Sequence, residues 1–151
     1  MVKSFDFGKA PAHLIRRTHQ VAVSIFMEEA ADFGVTPVQF AILNALMDDP
    51  GQDQVTLASR VAFDAATSGS VISRLEAKGW ILREPDEHDR RRKRLWITTQ
   101  GQVVAQQMKR AAGKTQQRLL GPLSVDEREQ LTQLLAKLVA AHEGRAPLGE
   151  A

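Results

Sequence analysis

Five consecutive cationic side chains at residues 90–94, Arg-Arg-Arg-Lys-Arg, are the most pronounced chemical feature of this 151-residue chain. Guanidinium and ammonium groups at this density can neutralise phosphates, which is the chemistry of nucleic-acid binding. A charge run is also typical of a solvated or disordered segment, so the run alone leaves both interpretations open. The elements that surround it must decide between them.

The overall charge conceals this basic region. The chain has 20 Lys and Arg against 18 Asp and Glu, a formal charge of +2 that by itself points to no particular partner. Residues 51–118 nevertheless carry a net charge of +6, whereas residues 1–50 and 119–151 each carry −2. The positive charge is therefore concentrated in the middle of the chain.

Composition excludes several classes of chemistry. No cysteine occurs, which excludes disulfides, cysteine-ligated zinc, iron–sulfur clusters and thiol redox sensing. There is no nucleophile elbow, no phosphate loop and no His-Glu-x-x-His, so we expect no enzyme and no cofactor. Residues 1–10 have one cation before Gly8 and no apolar core segment of the kind that a signal peptide needs, and no stretch approaches the roughly 20 apolar residues that span a bilayer. We therefore expect a cytoplasmic protein without a membrane partner.

The N-terminal part predicts two helices. Apolar residues recur at helical spacing from Ala12 to about Phe33, and Gly34 ends that helix. Thr36 is placed to cap a second helix, with Pro37 at its first position and Gln39 completing a capping box. We expect this helix to stop at residues 48–51.

The basic middle predicts two short helices and a hairpin. One helix begins after Thr56 and covers residues 57 to about 62, and a second begins at Asp64 and ends at Lys78-Gly79. Residues 80–84 and 93–98 alternate as two strands around the charged loop 85–92. This arrangement predicts a helix-turn-helix followed by a β-hairpin with its cations at or near the tip.

Two further helices should complete the chain. One should run from Gln100 to about Leu120, and the last should begin with the capping box of Ser124 and Glu127. The last helix carries leucines along one side, and aromatic residues make up only 5% of the chain. Because so few large side chains are available for a core, we expect the terminal helices to pack against a second copy.

Several motifs stand out in this order of elements: Leu57-Ala58-Ser59-Arg60-Val61, then Ser73 to Ile81 (SRLEAKGWI), then Asp89 and Arg91 as Asp-x-Arg, then Leu95, Thr98 and Gly101. Over roughly residues 12–142 the chain resembles the MarR family of winged helix-turn-helix transcriptional regulators. The resemblance implies a mainly α fold with a small β-hairpin wing and a dimerisation platform of N- and C-terminal helices. It implies flexible ends at 1–9 and 145–151 and one domain at 10–144, with dimerisation helices at 10–50 and 100–144 around a winged helix-turn-helix at 51–99.

The resemblance also implies which residues contact double-stranded DNA at a palindromic operator. The recognition helix would present Ala65, Ala66, Thr67, Gly69, Ser70 and Arg74 to the major groove. Because the first five are small, where many family members have longer polar residues, we expect the wing to contribute more. There Arg91 would enter the minor groove while Asp89 holds its guanidinium, and Arg90, Arg92 and Lys93 would contact phosphates.

Most family members bind a small aromatic or phenolic ligand. The Phe5-Asp6-Phe7 start and the capped Thr36-Pro37-x-Gln39-Phe40 helix resemble the branch that senses aromatic acids or their coenzyme A thioesters. The predicted function is thus a repressor released from its operator by such an effector. Candidate ligand contacts are Arg16, His19, Phe26, Phe40 and Met108, although a surface or dimer role for Arg16 and core roles for the others stay open. A metal-responsive regulator, with ligands among the four histidines, and a ligand-independent architectural DNA binder remain the alternatives.

Overall fold

A computed structural model describes residues 5–61 and 65–145, apart from the side chains of Ala65 and Ala66. Within these ranges the chain is mainly helical with one antiparallel hairpin, as predicted. The elements are α1 (Pro11–Glu29), α2 (Pro37–Asp48), α3 (Gln54–Arg60), α4 (Ala65–Ala77), β1 (Ile81–Pro85), β2 (Lys93–Ile97), α5 (Thr99–Leu119) and α6 (Val125–Ala141). A short 3-10 turn, Phe7–Lys9, precedes α1 within the segment for which a flexible end was predicted.

The first helix ends one turn earlier than predicted. α1 stops at Glu29, and Ala31–Phe33 form a 3-10 turn in which the Phe33 N–H donates to the carbonyl of Ala30 at 3.0 Å. This tighter i to i−3 bond replaces the α-helical pattern. Gly34, with a φ of 61°, therefore ends this 3-10 turn and not the α-helix for which the stop was predicted.

The second helix begins as predicted. The Thr36 Oγ1 accepts the Gln39 N–H, and the Gln39 Oε1 accepts the Thr36 N–H, each at 3.2 Å. This reciprocal pair completes the capping box and satisfies two donors that the helix leaves free. α2 can therefore start sharply at Pro37 and direct Ile42 and Leu46 into the core, where both are fully buried.

The prediction that the third helix begins after Thr56 is wrong. The N-cap is Asp53, whose carboxylate accepts the Thr56 N–H at 2.9 Å and the Thr56 hydroxyl at 2.7 Å. Both bonds favour the ionised carboxylate and lower the pKa of Asp53. Thr56 has the composition of a cap, but its polar groups are already used by the aspartate one turn earlier. The predicted start at Asp64 lies outside the described residues.

Two buried clusters hold the helices together. The larger one joins α2 and the start of α5 to the helix-turn-helix and the hairpin, and it comprises Ile42, Leu43, Leu46, Leu57, Ile72, Leu75, Ile81, Leu95 and Ala105. The smaller one joins α1 to α5 and comprises Phe26, Ala30, Val35, Met108 and Ala111. Trp80 and Val104 pack against both clusters. The long helix α5 therefore connects the terminal helices to the winged part of the chain.

An ion pair reinforces the same connection. Arg118 near the end of α5 donates to Glu28 at 2.7 Å and to Glu29 at 2.8 Å, at the end of α1. α6 contributes no buried residue, and its Leu134 and Leu138 are more than half exposed. Across residues 5–61 and 65–145, no helix is long and apolar enough to cross a bilayer.

Candidate nucleic-acid interface

The candidate recognition helix, α4, has one buried side and one exposed side. Ile72 and Leu75 are fully buried, whereas Thr67, Ser70 and Arg74 are exposed. An amphipathic helix of this kind can insert its polar side into a major groove while its apolar side stays in the core. The exposed side therefore includes three of the six residues expected to contact DNA.

The other three recognition-helix residues have different surroundings. Gly69 is half-buried, and a β-carbon there would lie 3.5 Å from the Gln54 Nε2 of α3. This is an ordinary van der Waals distance, so the packing of α3 against α4 does not require a glycine at this position. The side chains of Ala65 and Ala66 lie outside the described residues, so their predicted DNA contacts remain expectations.

The end of α4 fixes where the wing begins. The Gly79 N–H donates to the Glu76 carbonyl at 2.9 Å, the Trp80 N–H donates to the Leu75 carbonyl at 3.1 Å, and Gly79 has a φ of 75°. These are the two bonds of a Schellman motif, which ends a helix and turns the chain sharply. The glycine predicted to end the helix therefore also directs the chain into β1.

Arg83 of β1 connects the wing to the recognition helix. Its Nη2 donates to the Ser73 Oγ at 3.1 Å, and its Nε lies 3.6 Å from the Glu76 carboxylate. The Arg83 side chain is only 23% exposed, so it is held against α4 rather than extended into solvent. Sequence reasoning missed this contact, because no local pattern pairs a strand residue with a helix ten residues earlier.

The wing carries the cations at its tip, as predicted. β1 and β2 pair in register from Ile81 with Ile97 to Pro85 with Lys93, so the loop between them contains residues 86–92. Arg90, Arg91, Arg92 and Lys93 are all exposed. These four cations can reach a partner's phosphates while the core stays intact.

Arg94, the fifth cation of the run, has a structural role. Its Nε donates to the Asp86 carboxylate at 2.5 Å, and its Nη1 donates to the Gly51 carbonyl at 3.2 Å. Asp86 Oδ1 also accepts the backbone N–H groups of His88 at 2.7 Å and Asp89 at 3.1 Å. The arginine and these amides all favour the charged carboxylate and lower the pKa of Asp86 to about 2.

Sequence reasoning missed this Asp86 centre. An aspartate that begins a polar loop is a signal for side-chain bonds to the amides two and three residues later. Nothing local, however, distinguishes Arg94 from its four cationic neighbours. Its position in β2 is what directs it toward Asp86 instead of the tip.

The prediction that Asp89 holds the guanidinium of Arg91 is wrong. Asp89 Oδ1 accepts the backbone N–H of Arg91 at 3.0 Å, and its Oδ2 lies 3.9 Å from the Arg92 Nε. Asp89 thus shapes the backbone of the loop, while the ion pair expected with the Arg91 guanidinium is made with Arg92 instead. A carboxylate two residues before an arginine is well placed for its amide, since this is the short reach of an Asx turn.

The base of the wing is attached to the start of α5. Thr98 Oγ1 donates to the Gly79 carbonyl at 2.7 Å and accepts the Gly101 N–H at 3.1 Å. The Thr98 N–H in turn donates to the Trp80 carbonyl at 3.0 Å. The threonine and glycine of the Leu95, Thr98, Gly101 motif therefore connect α4, the wing and α5, and Leu95 fills the core below them.

The loop before α3 supports the other edge of the wing. The Gly51 N–H donates to the Leu95 carbonyl at 2.8 Å, and the Leu95 N–H donates to the Gln52 carbonyl at 3.0 Å. Gly51 has a φ of 81°, and a β-carbon there would be 2.6 Å from the Trp96 ring. The free edge of β2 is therefore partly covered.

Comparison with known proteins identifies this arrangement. A family model described as MarR family matches residues 33–92. The repressor NicR of Pseudomonas putida is 30% identical over 139 residues, which span 92% of this chain and 88% of NicR. The chain belongs to the MarR family. It is accordingly a DNA-binding transcriptional regulator.

Two solved structures of bacterial regulators have the same architecture as this MarR-family chain. BpsR of Bordetella bronchiseptica, whose DNA binding is regulated by 6-hydroxynicotinic acid, superposes with a TM-score of 0.85 at 32% identity, covering 90% of this chain and 97% of that one. PcaV of Streptomyces coelicolor, in complex with its natural ligand, has a TM-score of 0.82 at 32% identity, covering 94% and 100%. Both neighbours thus align along nearly their full length.

The five candidate effector contacts of this MarR-family chain fall into two groups. Phe26 and Met108 are buried in the smaller cluster, and Phe40 packs against it with its ring centroid 5.8 Å from that of Phe26. Arg16 and His19 are exposed on α1, and Arg16 Nη2 donates to the His13 Nδ1 at 3.2 Å. The structure thus brings the three apolar residues together, while the two polar ones lie on the surface of the single chain.

The four histidines of this MarR-family chain were the candidate ligands for a metal ion. His13 contacts the Phe7 ring, with a centroid distance of 4.6 Å, and His19 and His88 are exposed. Among the described residues, no three His, Cys, Asp or Glu side chains are close enough to hold one ion.

Proposed function

We propose that this chain is a homodimeric repressor that binds a palindromic operator and is released from it by a small aromatic or phenolic acid. The observation that carries the proposal is the exposed set of four wing cations beside an amphipathic recognition helix, both fixed to one core. Similarity to NicR, a repressor, and to BpsR, a regulator controlled by an aromatic acid, supports the repressor role and the class of effector.

The wing supplies most of the affinity in this proposal. Arg91 enters the minor groove, while Arg90, Arg92 and Lys93 neutralise phosphates. Thr67, Ser70 and Arg74 on α4 face the major groove, joined at its N-terminal end by Ala65, Ala66 and Gly69. Since the only long side chain in this second group is Arg74, direct base contacts contribute less than they would with a recognition helix rich in polar residues.

A second copy of the chain covers the terminal helices. α6 exposes Leu134, Leu135, Leu138 and Val139, and α1 exposes Leu14, Ile15 and Val21. So many exposed large apolar side chains on two helices are typical of a protein interface. Two-fold symmetry then sets two recognition helices about 34 to 36 Å apart, one helical turn of DNA.

The effector binds against α1 in this proposal, where Arg16 and His19 are exposed. The guanidinium of Arg16 pairs with its carboxylate, and His19 offers a second polar contact one turn along the same helix. Phe40 is half-buried and can offer apolar surface, whereas Phe26 and Met108 are buried in the smaller cluster and would have to become accessible when the effector binds. The dimer has one conformation whose recognition helices match successive major grooves and another in which they are wrongly spaced. An effector that binds the second conformation more tightly lowers the affinity for DNA, at most by the ratio of its own affinities for the two conformations.

The test is a thermal-shift screen of aromatic acids, with 6-hydroxynicotinic acid among them, followed by DNA-release titrations with each hit. We expect a hit that stabilises the protein and releases DNA, and Arg16→Ala should abolish both effects. Arg17→Ala is the matched control, because Arg17 is the adjacent exposed arginine and donates to Gln20 at 3.0 Å. Equal responses of the two variants would remove Arg16 from the effector site.

Other outcomes would favour the alternatives. Hits among coenzyme A thioesters, with none among free acids, would identify the larger effector class. DNA release by zinc, with no response to any acid, would indicate a metal-responsive regulator. Equal affinity for the gene's own promoter and for random DNA would indicate an architectural binder and overturn the repressor proposal.

A further inference from the structure

The wing of this protein contains a buried carboxylate in the same loop as its cations. Asp86 is 7% exposed and begins the loop that carries Arg90, Arg91 and Arg92. A negative charge at this place opposes DNA binding through simple electrostatics, because the nearest partner surface is polyanionic. Its burial in a DNA-binding loop therefore calls for another role.

The contacts of Asp86 join three parts of the wing. One carboxylate oxygen holds the backbone amides of His88 and Asp89, and the other holds Arg94 in β2. The loop closes further through the Asp86 N–H, which donates to the Arg92 carbonyl at 3.0 Å, and the Arg92 N–H, which donates to the Asp89 carbonyl at 2.9 Å. Residues 86–92 thus form a closed turn organised around one side chain.

The same contacts attach the wing to the rest of the domain. Arg94, held by Asp86, also donates to the Gly51 carbonyl in the loop before α3. The orientation of the tip relative to α3 therefore depends on the Asp86–Arg94 pair as well as on the strand ladder. A hairpin of two strands is marginal by itself, so contacts of this kind determine its order.

We propose that Asp86 is a positioning residue for DNA binding, which orders the loop so that Arg91 and its neighbours meet the DNA together. Asp86 itself contacts no DNA. Substitution of Asp86 removes none of the wing cations, but it lets the loop adopt conformations in which those cations no longer contact phosphates. This inference rests on the proposed contact between the wing and DNA.

The direction in which DNA affinity changes when Asp86 is substituted distinguishes a positioning role from a simple effect of its charge. Removing a carboxylate raises the net charge by one, so an effect of charge alone would tighten DNA binding and steepen its salt dependence. Positioning predicts the reverse: weaker binding and a shallower salt slope despite the more positive protein. Glu87→Gln is the matched control, because Glu87 is the exposed acid next in sequence and its neutralisation changes the charge equally.

The experiment measures binding of full-length protein to a duplex that the wild type selects from a random library, at several salt concentrations. We expect Asp86→Ala to bind about tenfold more weakly, comparable to the removal of one wing cation. The slope of its log K against log salt should become shallower by about 0.9 for each phosphate that the wing no longer neutralises. Asp86→Asn keeps an acceptor for the two amides, so it should fall between wild type and alanine. Glu87→Gln should bind as well as wild type or better.

Limited trypsin digestion gives a readout that does not depend on DNA. The loop contains Arg90, Arg91 and Arg92, and Lys93 follows directly, so disorder there should speed cleavage at these residues in Asp86→Ala but not in Glu87→Gln. Thermal unfolding and circular dichroism establish that each variant is folded, and Asp86→Asn provides the test if the alanine variant is not. Binding by both Asp86 variants as tight as that of Glu87→Gln, or unchanged cleavage, would overturn the inference.

Arg91→Ala in the same assay separates the two proposals. If it binds DNA as wild type does, the wing contact itself is wrong, and the role of Asp86 fails with it. If Arg91→Ala weakens binding and the Asp86 variants do not, only the positioning role is wrong.

Discussion

The carbonyl oxygen of Trp80 occupies the space that a side chain on residue 101 would need, so Gly101 lies directly against the backbone of Trp80. A β-carbon on residue 101 would overlap that oxygen and would also lie 2.8 Å from the Ile97 Cγ1. Gly101 is buried in the first turn of α5, where its N–H is held by Thr98. The first turn of α5 is thereby packed against the turn that leads into the wing.

Gly101→Ala should destabilise the protein, because the Trp80 backbone cannot move without disturbing both α4 and β1. We expect a loss of roughly 1 to 3 kcal/mol in the free energy of unfolding, typical of overpacking a core. Gly113→Ala is the control in the same helix, since nothing lies within 4 Å of a β-carbon there. It should stabilise α5 by about 0.5 to 1 kcal/mol, and urea unfolding followed by tryptophan fluorescence measures both.

Thr98→Val should also reduce stability, because it keeps the shape of the side chain but removes the hydroxyl that caps α5 and binds the Gly79 carbonyl. We expect a loss of about 1 kcal/mol, with a range of roughly 0.5 to 2. Thr98→Ser retains the hydroxyl and should recover most of the loss in thermal unfolding. A valine variant as stable as the wild type would contradict the role assigned to the hydroxyl.

Arg91→Ala should weaken operator binding by about 1 to 3 kcal/mol in a gel-shift titration. The log of the binding constant should fall with the log of the salt concentration, with a slope of about −0.9 for each phosphate neutralised. Lys109→Ala removes one exposed cation from α5, outside the wing, and should leave both quantities close to wild type. A flat salt response of the wild type would count against the proposed phosphate contacts.

The Asp86 carboxylate should make the free energy of unfolding decrease at acidic pH. Its pKa is about 2 in the folded chain, below the ordinary value of 3.8, because Arg94 and two amides bind its ionised form. The unfolded chain therefore takes up the proton first, and the contribution is present above pH 3.8 and is lost as the pH falls toward 2. Urea unfolding across this range should decline less for Asp86→Asn than for Glu87→Gln, whereas equal declines would contradict the assignment.

Leu138→Lys should disrupt the proposed dimer. Leu138 is 51% exposed on the apolar side of α6, and burying an unpaired ammonium in an interface is costly. Sedimentation of the variant should give the mass of one chain, while the wild type should give twice the 16.7 kDa of one chain. Ala140→Lys, two residues later on the opposite side of the helix, is the control and should remain dimeric.

Local sequence was sufficient to predict most helix starts. The capping boxes of Thr36 with Gln39 and of Ser124 with Glu127 form as predicted, because both partners lie within one turn of each other. The wrong start predicted for α3 also concerns residues within one turn of each other. Asp53 and Thr56 are both of a type that caps helices, and the sequence alone did not show which of them is the N-cap. The late end assigned to α1 arose because a 3-10 turn and an α-helix place apolar residues in similar positions.

The sequence by itself determined the order of elements and the cationic wing, because helical periodicity, strand alternation and charge are properties of neighbouring residues. Only the tertiary structure decided what those residues contact. It directed Arg94 to Asp86 and Gly51, Arg83 to Ser73, and the backbone of Trp80 against Gly101. Each of these contacts joins separate elements, and its geometry depends on how the helices and strands pack around the shared core, which no local pattern specifies.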